Sequence, residues 1–258
     1  MFTGKVAFAG LRAEIFHAAG SEHANQDLWL AQSHGTALRV AALDGVTPWR
    51  APCYPGADAA QWAVATTIGA LALALSPDAA LRHANDLVYR PEVIPSRSRA
   101  MAAAAVADCR LVGDRVGWSA VVSADCEVWV ADSRASVPRL VLGGNFIRSD
   151  IQRAWAEQMN THNASWSLDE RLAAEASLLD DPATQIRHAI GRYPSPVFDL
   201  AEGVSRVVLL ATDGARLDEA VRHGVNVSDL ATWLRDAMGS PHRDDLTCLI
   251  VEVAPRTS

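Results

Sequence analysis

Two apolar runs in this chain stop on the same dipeptide: RVAALDG at residues 39–45 and RVVLLATDG at residues 206–214. Each reads as a buried β-strand that delivers a carboxylate at its end. A charged side chain is costly to bury unless something pairs with it, so the pattern constrains what the strand ends can face. Two further aspartates sit in related surroundings. Asp27 in NQDLWL opens a strand-like run, and Asp244 in RDDLTCLIVEV precedes the last one. If these strands are neighbours, Asp27, Asp44, Asp213 and Asp244 converge at one edge, where like charges need a counter-charge and a divalent cation is the economical one. Oxygen donors without His or Cys spacing select Mg²⁺, Mn²⁺ or Ca²⁺ over Zn²⁺. Gly45 would free the backbone to turn sharply and offer its carbonyl oxygen as a further ligand. Either Asp-Gly alone is ordinary turn chemistry. Order, spacing and strand context together favour the metal.

Turn residues and periodicity set out the rest of the chain. The opening third alternates strand-like pieces with breaks at Gly20, Ser33 and Gly35, as antiparallel strands do. Two Ala-rich stretches, 56–75 and 77–88, have the length and composition of helices. Residues 101–130 contain a Gly113-Asp114 turn between β-compatible runs, a hairpin signature; the Ala-rich start leaves a helix over 100–108 as the alternative. WSAVVSADCEVWV reads as one continuous strand. Residues 143–203 are polar and irregular, with one helix expected over 168–179, and read as an inserted flap. The end returns to strand, helix, strand. The expectation is an α+β fold, an antiparallel β-sandwich flanked by helices in four layers (α-β-β-α), formed by residues 1–258 as a single domain.

Composition excludes several classes of function. Half of the 258 residues are hydrophobic and 21% are charged, enough to fill a sizeable core. A net charge of −7 with no Lys/Arg block argues against nucleic-acid binding. The longest apolar run, residues 62–75, falls short of the roughly 20 residues of a membrane helix, so no membrane partner is expected. Four scattered cysteines without a C-x-x-C pair, and an N-terminus without a secretory pattern, point to a cytoplasmic chain with reduced thiols. No G-x-S-x-G elbow, H-E-x-x-H, P-loop or dinucleotide fingerprint occurs. Trp29, Trp118 and Trp129 lie in strand-like runs and read as core, whereas Trp49 and Trp155 suit a rim or lid.

Taken in order, these segments resemble the metal-dependent protein phosphatases, the type 2C serine/threonine phosphatases, over essentially the whole chain, as a divergent bacterial-type member. NQD is similar to the family's Asn-Glu-Asp element, AALDG to its first Asp-Gly, LLATDGA to its Ala-Ser-Asp-Gly and DDLT to its Asp-Asn/Asp-x-Thr, while QIRHAIG at 185–191 is similar to the segment leading out of its flap. The resemblance implies a binuclear Mn²⁺ or Mg²⁺ centre. Asp44 would bridge both ions, the Gly45 carbonyl would bind one, Asp213 and Asp244 would hold the other, and Asp27 would act through water. It also implies hydrolysis of a phosphomonoester by a metal-bridging water, without a covalent intermediate. The substrate would be a phosphoserine or phosphothreonine protein, or alternatively a small phosphorylated metabolite; a catalytically silent module that binds a phosphorylated partner is the reading from another class. A third ion in many members uses the Asp of Gly-Asp-Ser-Arg, for which Asp125 in ADC and Asp132 in ADSR compete. The expected length of the upstream hairpin favours Asp125.

Three departures accompany the resemblance. Glu22 stands where the family has a phosphate-gripping Arg, leaving Arg12 or Arg243 to replace it. Val46 stands where a His often follows the first Asp-Gly, so a leaving-group acid would come from elsewhere, with His23 and His242 nearest the motifs. Ala124 or Ala131 replaces the Gly before the third-ion Asp. The metal set is retained while the substrate-binding surround has changed.

Overall fold

Among the described residues, eleven strands build two antiparallel sheets that face each other. In the computed structural model, residues 2–20, 26–46, 59–90, 100–144, 149–162, 187–239 and 245–255 are described, with single positions at 167, 170, 174, 177 and 181. The strands are β1 (Phe2–Phe8), β2 (Leu11–Ala18), β3 (Leu28–His34), β4 (Ala37–Val46), β5 (Met101–Val112), β6 (Arg115–Ser123), β7 (Glu127–Ala131), β8 (Arg139–Gly143), β9 (Asp199–Ser205), β10 (Val207–Ala211) and β11 (Leu246–Val253). One sheet runs β1-β2-β11-β10-β7-β8 and the other β3-β4-β5-β6-β9. The described helices are α1 (Ala59–Leu71), α2 (Pro77–Val88), α3 (Ser149–His162), α4 (Leu217–Arg222) and α5 (Val227–Gly239).

Alternation along the strands creates the four layers. In β4, Leu38, Val40 and Ala42 face the other sheet, where they meet Ile15, Val208, Leu210 and Leu249. Ala41 and Leu43 face outward and pack under Ala63, Val64 and Leu81 of α1 and α2. Across the sandwich, Leu209, Ala211, Cys248 and Ile250 face outward against Leu217 of α4 and Leu230 and Leu234 of α5. A strand buried on both faces has no polar row, which is why β10 reads as an unbroken apolar run and β4, before its acidic end, is interrupted by Arg39 alone. The α+β sandwich expected from the sequence is the observed architecture.

The Ala-rich start of β5 is strand, not helix. Ala is a poor strand former, but here Ala103, Ala105 and Ala107 fill the space between the sheets, and Ala102 and Ala104 lie under the helices. Small side chains suit a central strand pressed from both faces, and pairing with both β4 and β6 outweighs local propensity. At the start of α2, Ser76 caps the first turn by accepting from the Ala79 amide, with Pro77 following.

Other expectations need correction. WSAVVSADCEVWV is two strands in different sheets: β6 ends at Ser123, Ala124 adopts a left-handed φ of 50°, and β7 starts at Glu127. Ser33 lies inside β3, and the turn falls at Gly35. The flap ends before 203, because Asp199–Ser205 pairs along β6 as β9. Helix α3 went unforeseen. Within 168–179, Glu170, Ala174 and Ser177 are described, and all three are helical. Among the described residues no helix is long and apolar enough to cross a membrane.

Candidate functional site

Strand register brings Asp27, Asp44, Asp125 and Asp213 to one end of the sandwich. Leu28 pairs with Leu43, so Asp27, one residue before β3, stands beside the Asp44 end of β4. Asp44 pairs with Ala103, and Ala104 with Ser123, which sets Asp125, two residues past β6, at the same edge. In the other sheet Ala211 pairs with both Glu127 and Cys248. Asp213, just after β10, therefore lies at that edge too, close to Asp125 just before β7. Alternation also aims the acids. Asp44 continues the inward row of Val40 and Ala42, and Asp27 continues the inward row of Trp29 and Ala31, both of which pack against the inter-sheet core. Where the apolar rows end, carboxylates begin.

Electrostatics register this gathering of charge. Cys126 is fully buried, and its thiol is pushed well up by burial first and then by the negative charges of Asp44, Asp125, Asp27 and Asp213. Asp27 is 1% exposed. Burial raises its pKa well above the usual carboxylate range, with Asp245 and Asp213 adding to the rise and a hydrogen bond from Thr212 opposing it. Half-buried Glu127 is pushed up to about 7, chiefly by burial, with a hydrogen bond from Trp129 opposing and Asp218, Asp213 and Asp125 adding. Oxygen donors in excess, with the negative charge they carry, would suit a hard divalent cation. Among the described residues no three acidic, imidazole or thiol groups by themselves ring a single ion point. Asp244, the remaining predicted ligand, lies outside the described residues.

Both glycines of the Asp-Gly pairs are required by close approach and not by a turn. Gly45 lies within β4, paired with Ala102. A Cβ there would sit 2.9 Å from the Cβ atoms of Ala60 and Gln26. At Gly214 a Cβ would fall 1.8 Å from the carbonyl oxygen of Asp245. The sharp turn expected at Gly45 is thus replaced by a straight strand that α1 and Gln26 closely approach.

Topology separates Asp125 from Asp132. Asp132 follows Ala131, which pairs with Val207 at the start of β10, so the length of β7 separates it from the acidic edge. Around it, ADSR forms a turn whose Arg134 donates to both carboxylate oxygens of Glu252. Arg12, a candidate to grip phosphate, donates to the same Glu252 at the end of β2 remote from Ala18 and Leu246. Burial raises the Glu252 pKa, but the hydrogen bonds from Arg134 and Arg12 outweigh it and leave the group lowered. Arg12 is therefore not at the acidic edge. Glu22, His23, His242, Arg243 and Trp49 lie outside the described residues, while Val46 closes β4. Trp118 and Trp129 are buried as expected, and Trp155 is half-buried on α3.

Sequence reasoning missed several residues that frame this edge. Arg187 donates to the carbonyl of Ala124 (2.8 Å), to Asp199 (2.8 Å) and to the carbonyl of Gly144 (3.1 Å), tying the segment after the flap to the Asp125 turn. Thr212 and Asp245 are buried beside the predicted ligands. Each lay within a quoted motif, ATDG or DDLT, but nothing local distinguishes a hydroxyl or acid that holds its neighbours from one that faces water.

Two face-to-face antiparallel sheets, helices on both outer faces and an acidic edge give this chain the fold of the metal-dependent, type 2C phosphatases. It is similar to the crystal structure of RsbX in complex with magnesium, at 9% identity and a TM-score of 0.62 over 98% of this chain and 100% of that one. It is likewise similar to serine/threonine phosphatase Stp1 from Staphylococcus aureus (15% identity, TM-score 0.61, 98% and 100% covered). The Mycobacterium tuberculosis serine/threonine phosphatase PstP/Ppp is a further match (17%, 0.53, 95% and 99%). No family model matches the sequence, and neither does any curated protein. At such identities the likeness establishes the fold alone.

Proposed function

We propose that this chain is a metal-dependent phosphoric monoester hydrolase, with phosphoserine or phosphothreonine in a protein as its substrate. The observation that carries the reading is the convergence of Asp27, Asp44, Asp125 and Asp213, from both sheets, on one edge around Cys126. Asp44, the Gly45 carbonyl, Asp213 and Asp244 would hold two Mn²⁺ or Mg²⁺ ions, with Asp27 acting through water and Asp125 toward a third. When bound, such ions supply Lewis acidity to phosphoryl oxygens and a water nucleophile at neutral pH. The chain's own contribution is rigidity: β4 carries Asp44 directly, and β10, buried on both faces, ends two residues before Asp213, which opens a 3-10 turn. Type 2C fold neighbours named as serine/threonine phosphatases support the substrate class.

The test is turnover of p-nitrophenyl phosphate with Mn²⁺ and with EDTA, followed by phosphoserine peptides against small sugar phosphates. Metal-dependent turnover with preference for the peptide is expected. Preference for the sugar phosphate would move the substrate to a small metabolite, while Mn²⁺ binding without turnover would favour a silent binding module. Asp44→Asn and Asp213→Asn should each lower kcat roughly 100-fold or more, corresponding to several kcal/mol of transition-state stabilisation. Circular dichroism spectra should stay unchanged.

A further inference from the structure

Three segments distant in sequence meet where the two sheets end. The Thr212 amide donates to the Thr247 carbonyl (3.0 Å), and its hydroxyl accepts from the Thr247 amide (3.0 Å). That hydroxyl donates to Asp27 Oδ2 at 2.8 Å, with the Thr247 carbonyl a longer alternative at 3.5 Å. Thr212 and Thr247 belong to the β10–β11 pair of one sheet, whereas Asp27 leads into β3 of the other. The buried Thr212 hydroxyl therefore bridges the gap between the sheets.

A second tie lies beside it. Asp245 is 3% exposed, and its two carboxylate oxygens accept from the amides of Gly20 and Gln26, both at 2.5 Å. Gln26 immediately precedes Asp27. On the other side, the Asp245 carbonyl is packed so closely on Gly214 that only glycine fits, and Gly214 immediately follows Asp213. Asp245 thus touches the chain next to Asp27 and the chain next to Asp213 at once.

We propose that Thr212 and Asp245 are positioning residues of the acidic edge, which together fix the Asp27 carboxylate relative to Asp213. The catalytic part of this inference rests on the phosphatase reading above; the positioning part does not. Partners that orient metal ligands matter to affinity nearly as much as the ligands themselves. Substitution chemistry separates this role from simple packing. Thr212→Val preserves shape and removes only the hydroxyl, whereas Thr212→Ser preserves the hydroxyl and removes only the methyl. Asp245→Asn leaves one oxygen acceptor for two amide donors and turns an NH₂ group toward one of them.

The experiment uses the full chain and three readouts: amide hydrogen exchange at Gly20 and Gln26, Mn²⁺ affinity by calorimetry, and kcat and KM on p-nitrophenyl phosphate. Thr212→Val should weaken Mn²⁺ binding about 10- to 100-fold and lower kcat to a similar extent, with KM within about threefold. Thr212→Ser should stay within about threefold of the parent chain on all counts. Asp245→Asn should speed exchange at Gln26 or Gly20 about tenfold, as loss of one buried hydrogen bond implies. Equal losses in the Val and Ser variants would overturn the proposal. So would parental Mn²⁺ affinity and kcat in Thr212→Val, or parental exchange in Asp245→Asn. If the parent chain neither binds Mn²⁺ nor turns over phosphate, the phosphatase reading fails by itself. The exchange rates of Asp245→Asn then decide the positioning role alone.

Discussion

At the scale of single residues, the Asp-Gly dipeptide carries two separate requirements. The aspartate supplies a charge at the mouth between the sheets, and the glycine supplies the absence of a side chain where another segment crosses. Gly214→Ala would place a methyl 1.8 Å from the Asp245 carbonyl oxygen, and backbone cannot yield there without moving the start of β11. We expect that substitution to destabilise the chain by about 2–4 kcal/mol, measured by urea unfolding. Gly45→Ala meets side-chain carbons at 2.9 Å and should cost less, about 1–2 kcal/mol. A smaller loss at Gly214 than at Gly45 would contradict the close-approach account. The charges were legible in the sequence because aspartate after an apolar run is conspicuous. The glycines' reason was not, since a turn dipeptide and a close-packed strand end are spelled alike.

At the scale of elements, the end of the sandwich remote from the acids has its own buried polar anchor. Arg39 on β4 is 0% exposed. Its guanidinium makes a bidentate pair with Asp108 on the adjacent β5 (2.7 and 2.8 Å) and donates to the carbonyls of Leu71, Leu73 and Leu75. These carbonyls follow the last turn of α1, which a cation satisfies well. Arg39→Met leaves the Asp108 carboxylate without its partner and should cost about 3–5 kcal/mol, whereas Arg39→Met with Asp108→Leu should cost clearly less. Chemical denaturation of both variants measures the difference. His188, in the segment after the flap, gives a pH-dependent counterpart. Its Nδ1 accepts from the Val197 amide, and burial, with the Arg192 charge adding, lowers its pKa below 6.5. The unfolded chain therefore takes up the proton first as pH falls. The stability this histidine contributes is present above about pH 6.5 and is lost as pH drops through that value toward its folded pKa. Because Glu127 and Asp27, held above the usual carboxylate range, push the total the other way, the slope should show in the difference in thermal unfolding between the parent chain and His188→Gln, followed from pH 7.5 to 5. An opposite slope would mean that the charged imidazole is favoured in the fold.

At the scale of the whole molecule, the acidic edge joins both sheets, so whatever binds there should stabilise the sandwich as a unit. A cation present at 100 times its Kd adds about 2.7 kcal/mol. Mn²⁺ should accordingly raise the unfolding temperature of the parent chain, EDTA should reverse the gain, and Asp213→Asn should abolish most of it. A metal-independent unfolding temperature would count against a site that spans both sheets. The sequence alone determined most of the strands, though not β8 or β9, together with the two helices after β4, the layered α+β class and the conspicuous acids, because burial on two faces writes apolar runs and strand ends write Asp-Gly. Tertiary structure alone decided that the Ala-rich β5 is strand, since propensity yields to pairing on both sides. It likewise decided that WSAVVSADCEVWV breaks at Ala124 and crosses between sheets, which puts Asp125 at the acidic edge and leaves Asp132 in a salt-bridged turn at the other end. Thr212, Asp245 and Arg187 belong to the same class. Arg187 reaches Ala124, Thr212 reaches Asp27 and Asp245 reaches Gly20 across 63, 185 and 225 positions, and a hydrogen bond across such a distance leaves no periodicity or local composition in the chain that makes it.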